Sequence, residues 1–397
     1  MLSIYGGNIM KTILIPSMLD FHFPLLKYAF NSTYIKAIIL ENEENITHTG
    51  LKYANNDMCY PCILIIGQMI EALKSGLYDL SSTMLLIPQA GDACRGSNYI
   101  KMIRKALKAA GYEQIPVISL NFKGLAKDSL FSFDIGMIIK ALAAIIYSDT
   151  LMILYNQTRP YEKVIGSTDK LLNSWNSKLS MKLKSSKNIT IHSIRKNISE
   201  IASSFRKIEK HELKLKKVGI AGELYVKYCH LGNWNCGEFL LNENCEYMVN
   251  GFSWYVLYYI DIHKNEQSFI MNRIFNTAMK IVSSLQRYMV CEIRKNGFNC
   301  VSDFFEFKKI SQDLISFECK IADGWLIGAE IINMVHEGYD RILCIQPFGC
   351  MSNHICGKGI YSYLRRMLPE SKIVSIDYDS SGSSINVQNR IKFLIDM

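Results

Sequence analysis

The chain has 397 residues, of which 49% are hydrophobic and 20% are charged, and this mixture excludes a disordered protein, a collagen-like protein and a coiled-coil rod. Its length predicts two lobes, because a typical domain has about 150 residues. Twelve cysteines are too few for a small disulfide-stabilised scaffold, and the N-terminus has no signal-peptide pattern, so we expect a cytoplasmic protein with reduced thiols.

The first lobe, residues 1–150, alternates predicted strands and helices. Three segments are typical of strands, namely 12–15, 84–88 and 115–120. A helix between the last two has apolar residues at helical spacing and is closed by Gly111. The apolar stretch 133–147 contains Asp134 and Lys140 and is shorter than the roughly 20 residues that span a bilayer, which predicts a buried core helix and no membrane contact.

A basic connector, residues 151–216, is predicted to join the lobes. The segment 178–217 has twelve Lys or Arg and three acidic residues, so it accounts for the whole net charge of +9. This composition predicts exposed helices, and an alternative role is docking of an acidic partner such as a small electron carrier. Nucleic acid is not indicated, because no aromatic stacking residues interleave with the charges.

The second lobe, residues 217–397, repeats the alternation. Its predicted strands are 218–221, 341–346 and 372–377, and its last helix carries Ile391, Leu394 and Ile395. Alternating strands and helices produce parallel sheets that are covered on both faces. The sequence therefore predicts an α/β protein with two Rossmann- or flavodoxin-like lobes.

Three cysteines lie in loops where such lobes bind ligands. Cys59, Cys94 and Cys350 each stand near a predicted helix N-terminus, where free amides and the helix dipole stabilise a thiolate. Three thiolates can bind three irons of a [4Fe–4S] cluster and leave the fourth iron for water, substrate or another ligand. The spacing also leaves open that all three are buried structural thiols.

Other residues near these loops are secondary candidates. Cys62 completes a CxxC with Cys59, which is typical of a redox pair or half a zinc site, and Cys356 follows Cys350 by six residues. Arg95, Asn353 and His354 are candidates to position a ligand or to donate hydrogen bonds to sulfur. The chain has no P-loop and no GxGxxG, so neither ATP hydrolysis nor classical NAD binding is indicated.

These loops resemble those of the 2-hydroxyacyl-CoA dehydratase superfamily, in particular the activase-related proteins (CoA-substrate-specific enzyme activase, C-terminal part). The cysteine motifs that carry the resemblance are NNDMCYP (55–61), CRGSNY (94–99) and QPFGCMSNH (346–354). Further matching stretches are 11–16, 117–121, 218–228, 324–326, 377–379 and 389–392.

The resemblance implies one [4Fe–4S] cluster held by Cys59, Cys94 and Cys350, two from the first lobe and one from the second. The double-cubane cluster of some relatives needs about twice as many ligands and is the second alternative. Larger relatives carry an ATPase module of the sugar kinase/Hsp70/actin type, which this chain lacks. The implied partners are therefore a separate ATP-dependent activase, an acyl-CoA or other small-molecule substrate, and a second subunit in a homo- or heterodimer.

The chain also departs from the family pattern. Relatives usually read Tyr-Asn-Pro where this chain has Tyr228-Cys229-His230, and they have no cysteine at position 62. Family resemblance does not fix the reaction, because function resides in the site. Two other classes therefore stay open: a non-catalytic electron carrier or regulatory binding subunit, and a zinc- or nucleotide-binding protein.

Overall fold

The first lobe is built on a four-stranded parallel sheet in the order β2-β1-β3-β4. The structure is a computed structural model that describes residues 10–88, 94–120, 135–185, 189–264 and 269–397. The strands are β1 (Lys11–Ile15), β2 (Ile35–Ile39), β3 (Thr83–Pro88) and β4 (Val117–Leu120). The helices between them are α1 (Phe23–Phe30), α2 (Ile46–Tyr53), α3 (Tyr60–Lys74) and α4 (Tyr99–Ala109).

A long helical layer follows the first sheet. It consists of α5 (Ile135–Thr158), α6 (Ser167–Ser185) and α7 (Ile191–Arg206). The predicted exposed connector is corrected here, because α6 and α7 each bury an apolar face that includes Trp175, Leu179, Ile198 and Phe205. Part of the basic charge is also paired between these helices, as in the 2.9 Å contact of Lys178 with Glu200.

The second lobe has a parallel sheet in the order β6-β5-β7-β8. Its strands are β5 (Lys216–Gly222), β6 (Cys245–Val249), β7 (Arg341–Pro347) and β8 (Lys372–Tyr378). Three short helices lie between β5 and β6: α8 (Leu224–Tyr228), α9 (His230–Asn233) and α10 (Cys236–Asn242). The last two helices are α15 (Gly359–Met367) and α16 (Ser384–Asp396).

A helical insertion separates β6 from β7, and the sequence did not predict it. It contains α11 (Phe252–His263), α12 (Phe269–Lys295), α13 (Phe304–Ile310) and α14 (Leu326–His336). These helices share one hydrophobic core with α5, α6 and α7. The insertion and the connector therefore form a single helical layer beside the two sheets.

The predicted fold class is confirmed: both lobes are α/β units with all-parallel sheets. In each lobe the first strand lies between the second and the third. The crevice at the carboxyl ends of β1 and β3 in the first lobe is therefore equivalent to the crevice at the carboxyl ends of β5 and β7 in the second. The strands β2 and β6 were missed. The first is an edge strand in which only Ala37 is buried, so its apolar pattern is weak.

The helix α5 is longer than the sequence predicted. Together with a short 3₁₀ turn it reaches Tyr161, which makes it long and apolar enough to cross a membrane by length and composition alone. Two thirds of its most apolar 18-residue segment is buried within the protein, as in the core helix of a soluble protein. The apolar stretch predicted as a core helix starts within residues 121–134, which lie outside the described residues. Residues 89–93 of the Cys94 loop and Lys187 also lie outside them.

The two lobes contact each other directly on the side where their strands end. Trp234 of the second lobe donates from Nε1 to the Tyr60 hydroxyl of the first at 2.9 Å. The Ser380 hydroxyl hydrogen-bonds Asn56 Oδ1 at 2.9 Å. One hydrophobic core contains side chains of both sheets. Loops from the two lobes are therefore held against each other.

Candidate functional site

The three predicted cysteines begin helical segments at this contact between the lobes. Cys94 follows β3 and Cys350 follows β7, which are the equivalent strands of the two sheets. Cys59 immediately precedes α3, which starts with Tyr60 and Pro61. All three side chains are partly buried. The sequence prediction that each cysteine stands at a helix start is confirmed.

The sulfur of each cysteine accepts a hydrogen bond from the protein. The Gly96 N–H donates to Cys94 Sγ at 3.3 Å, and Asn353 Nδ2 donates to Cys350 Sγ at 3.3 Å. The Tyr99 hydroxyl donates to the Cys59 thiol and lowers its pKa, against a larger opposite effect of burial. Such donors stabilise a thiolate more than a neutral thiol.

The backbone before Cys350 requires glycine. Gly349 has a φ of +71°, in the left-handed region that residues with a Cβ rarely adopt. This turn brings Cys350 back over the end of β7, where the Cys350 N–H bonds the Pro347 carbonyl at 3.1 Å. The local sequence Phe-Gly-Cys thereby aims the thiol into the crevice between the lobes.

The three thiols interact electrostatically. Burial raises the pKa of Cys59, and the neighbouring Cys350 and Cys94 thiols raise it further. Burial raises the pKa of Cys94 to about 12, and Cys350 again contributes. A like charge on one sulfur opposes ionisation of the next, so three free thiolates are disfavoured here.

Two carboxyl groups face the thiols, the buried Asp323 and the half-buried Glu223, and sequence reasoning did not identify either as a site residue. Glu223 follows β5 and accepts the Val226 N–H at 3.0 Å. Asp323 lies in the turn before α14 and accepts from Asn353 Nδ2 at 3.3 Å. Burial raises the pKa of both, that of Asp323 to about 8, and the charge of Glu223 adds to the shift of Asp323. Asp323 therefore holds a proton near neutral pH.

The turn that presents Asp323 has an uncommon backbone. Ala322 and Gly324, on either side of Asp323, have φ values of +52° and +40°. A left-handed alanine costs about 1–2 kcal/mol, so the surrounding packing must compensate for it. Strain of this kind clusters at functional sites. A positive φ at alanine leaves no sequence signal, which explains why Asp323 was not predicted.

A buried ion pair lies next to the two carboxyl groups. Lys227 Nζ is 2.5 Å from Glu330 Oε1, and the two side chains are 5% and 2% exposed. The positive charge of Lys227 lowers the pKa of both Glu223 and Asp323, although burial still dominates their shifts. Among the described residues, the site thus contains two buried carboxyl groups (Asp323 and Glu330), the half-buried Glu223 and one ammonium group.

The three secondary candidates have different positions. Asn353 contacts sulfur directly, as predicted. His354 Nδ1 lies 2.8 Å from the Cys350 carbonyl oxygen, so this contact orients the loop and does not involve sulfur. Arg95 donates to the Asp57 carbonyl at 3.3 Å, and its Nη2 would lie 3.8 Å from a Cβ at Gly349, which places it across the cleft beside the Cys350 loop.

Cys62 and Cys356 lie in hydrophobic cores. Cys62 is fully buried in the core of the first sheet, and burial raises its pKa to about 12. Cys356 is buried in a π-helical turn (Asn353–Lys358) and contacts the Cys319 thiol. These positions favour packing roles for both thiols.

Comparison with models of known protein families and with curated proteins gives no match for this chain.

Proposed function

We propose that the chain is an iron–sulfur protein of a 2-hydroxyacyl-CoA dehydratase-type low-potential electron-transfer system. Cys59, Cys94 and Cys350 would hold one [4Fe–4S] cluster in the cleft between the lobes. The observation that carries the proposal is the convergence of these three thiols from separate loops of both lobes, each with a hydrogen-bond donor on its sulfur.

The donor set fits a cluster better than it fits free thiols. Burial and the nearby Glu223 carboxyl group raise the pKa of all three sulfurs, which disfavours unbound thiolates. Iron binding removes this penalty, because a coordinated thiol is deprotonated outright. Hydrogen bonds to the sulfurs are among the features that set the potential of such a cluster.

When bound, the cluster would supply one-electron chemistry and one iron without a cysteine ligand. Asp323 would stand beside it with its proton retained near neutral pH, linked to Cys350 through the Asn353 amide. A carboxylic acid in that position can donate a proton to an oxygen of a bound substrate. This favours a substrate-transforming component over a simple electron carrier, with an acyl-CoA as the substrate class.

The partner requirements follow from the same proposal. A separate ATP-dependent activase of the sugar kinase/Hsp70/actin type would deliver electrons of low potential. Reduced thiols and an oxygen-sensitive cluster fit a cytoplasmic, anaerobic setting. A second subunit, identical or related, would bring another site nearby.

The direct test is the iron and acid-labile sulfide content of anaerobically purified protein. We expect about four of each per chain with a broad brown absorption band. Changing Cys59, Cys94 or Cys350 singly to alanine should sharply reduce both. The matched control is Cys62→Ala, three residues from Cys59, which should keep the cluster.

Other outcomes of these metal analyses would each lead to a different conclusion about the site. Unchanged iron in the Cys94→Ala and Cys350→Ala variants would refute the ligand assignment. About eight irons would favour the double-cubane alternative. Zinc held by these three cysteines, or no metal on them after reconstitution, would favour the binding-protein alternative. If the cluster is present, turnover of a 2-hydroxyacyl-CoA with an activase separates an enzyme component from a carrier.

A further inference from the structure

A second group of metal-ligating side chains lies between the lobes, apart from the three thiols. Asp20 comes from the loop between β1 and α1, whereas Cys229 and His230 lie at the junction of α8 and α9. Their ligand atoms all lie within 4.8 Å of one another. We propose that Asp20, Cys229 and His230 bind a divalent transition-metal ion of the zinc class.

The three ligand side chains are already oriented by hydrogen bonds. Asp20 Oδ2 accepts the His230 backbone N–H at 2.7 Å and lies 2.8 Å from the ring Nδ1. The Cys229 thiol donates to the Ser17 carbonyl at 3.5 Å and is fully buried. One ligand comes from the first lobe and two from the second, so a bound ion would cross-link them.

The other ring nitrogen of His230 has the partner expected of a metal ligand. Its Nε2 lies 3.0 Å from Glu43 Oε1. A metal-bound histidine commonly donates its second N–H to a carboxylate, which fixes the tautomer and the ring orientation. Glu43 would play this positioning role and leave Nδ1 free for the ion.

The donor set selects the kind of ion. Thiolate, imidazole and carboxylate together favour Zn²⁺ and similar ions, whereas Mg²⁺ and Ca²⁺ prefer all-oxygen sites. The backbone N–H groups of Leu231 and Gly232 lower the pKa of the Cys229 thiol, against larger opposite effects of burial and of the Asp20 carboxylate. Those amides would remain in place to stabilise the metal-bound thiolate.

Little rearrangement is needed to admit the ion. Metal–nitrogen and metal–oxygen bonds of about 2.0–2.1 Å require Asp20 Oδ2 and His230 Nδ1 to move apart by roughly 0.5 Å. Both side chains are about one-third exposed and can make this shift. Binding would release the proton that the two groups share and the Cys229 proton.

Three protein ligands leave one coordination position for an exchangeable ligand. Asp20 and His230 both line two cavities, of about 280 Å³ and about 210 Å³. A site with three protein ligands and an open position next to a cavity is the arrangement of catalytic zinc sites and differs from that of closed structural ones.

The test is titration of the metal-free full-length protein with Co²⁺, whose visible spectrum reports thiolate and nitrogen ligation. We expect one equivalent that depends on Cys229, with sulfur-to-metal charge transfer that Zn²⁺ abolishes. Cys229→Ser and His230→Gln should each remove this binding. Glu43→Gln should weaken it by roughly 10–100-fold, as for other partners of a ligand.

Two controls separate this site from the cluster site and from misfolding. The Cys59→Ala/Cys94→Ala/Cys350→Ala variant should still bind Co²⁺, and Cys229→Ser should keep the iron and sulfide content of the wild type. Cys236→Ser, another buried cysteine close in sequence, should bind Co²⁺ normally. Zn²⁺ should raise the melting temperature of the wild type and of Cys236→Ser but not of Cys229→Ser.

Absence of saturable Co²⁺ binding in wild type would overturn the proposal, and the three residues would then be an ion-paired contact between lobes. Binding that persists in Cys229→Ser, or that disappears in the triple variant while Cys229 is intact, would also overturn it. A shift of the Co²⁺ spectrum on adding azide would support the open position. No shift would refute the open position.

Discussion

The buried pair of Lys227 and Glu330 gives a prediction whose size follows from the structure. The two side chains are 5% and 2% exposed, and their charged atoms are 2.5 Å apart. Within the described part of the chain, Glu330 Oε2 has no hydrogen-bond partner, so Lys227 provides most of the compensation for this carboxylate. The change Lys227→Met keeps the length of the side chain and removes the charge.

We expect Lys227→Met to lower the free energy of unfolding by about 3–5 kcal/mol, because an uncompensated charge is left buried. That is a large share of the roughly 5–15 kcal/mol that stabilises a typical domain. The double variant Lys227→Met/Glu330→Leu removes both charges. It should return to within about 1 kcal/mol of the wild type or exceed it, since a buried pair is often no better than well-packed apolar residues.

Urea denaturation followed by circular dichroism and tryptophan fluorescence measures these differences. Both probes are needed, because a chain with two lobes need not unfold in one step. A loss below about 1 kcal/mol in Lys227→Met would contradict the assumption of an unscreened buried charge. A double variant no more stable than the single one would show that packing, and not charge, causes the loss.

Two further predictions concern the residues beside Cys350. Asn353→Ala removes a hydrogen-bond donor to Cys350 sulfur. Redox titration of a cluster held there should therefore give a midpoint potential up to about 65 mV more negative, which corresponds to the loss of one hydrogen bond of ~0.5–1.5 kcal/mol. An unchanged potential would argue against sulfur ligation by Cys350. Burial raises the pKa of Asp323 to about 8. Its contribution to the free energy of unfolding is therefore greatest below about pH 4, and this contribution is lost as the pH rises through about 8. Asp323→Asn should flatten this fall in the free energy of unfolding, whereas the same change at the exposed Asp313 should not, and an equally steep fall in both variants would contradict the assignment.

The fold class could be predicted from the sequence because its signal is local. Apolar runs such as those of β3 and β7 are buried on both faces of a parallel sheet, and the helices between them follow the period of 3.6 residues. The strands β2 and β6 were missed, as was the helical insertion between β6 and β7. Sequence periodicity describes each segment alone and does not reveal which helices share a core.

The positions of the three cysteines at helix starts were also readable from the sequence. Loops that follow the strands of a parallel sheet meet at one edge, so topology alone predicts that Cys94 and Cys350 face the crevices of their own lobes. Their role as cluster ligands stays a prediction. Asn353 was a candidate donor to sulfur, whereas the turn at Gly349 that places Cys350 was not predicted.

Tertiary structure alone decided the electrostatics of the site. Glu223 and Asp323 are 100 residues apart in the chain, and their pKa values are raised only because the fold brings both into one crevice, where Asp323 is buried and Glu223 is half-buried. Asp20 and His230 are 210 residues apart and meet only because the lobes pack together. Burial and proximity between distant segments are properties of the folded chain, so a pattern of neighbouring residues carries no record of them.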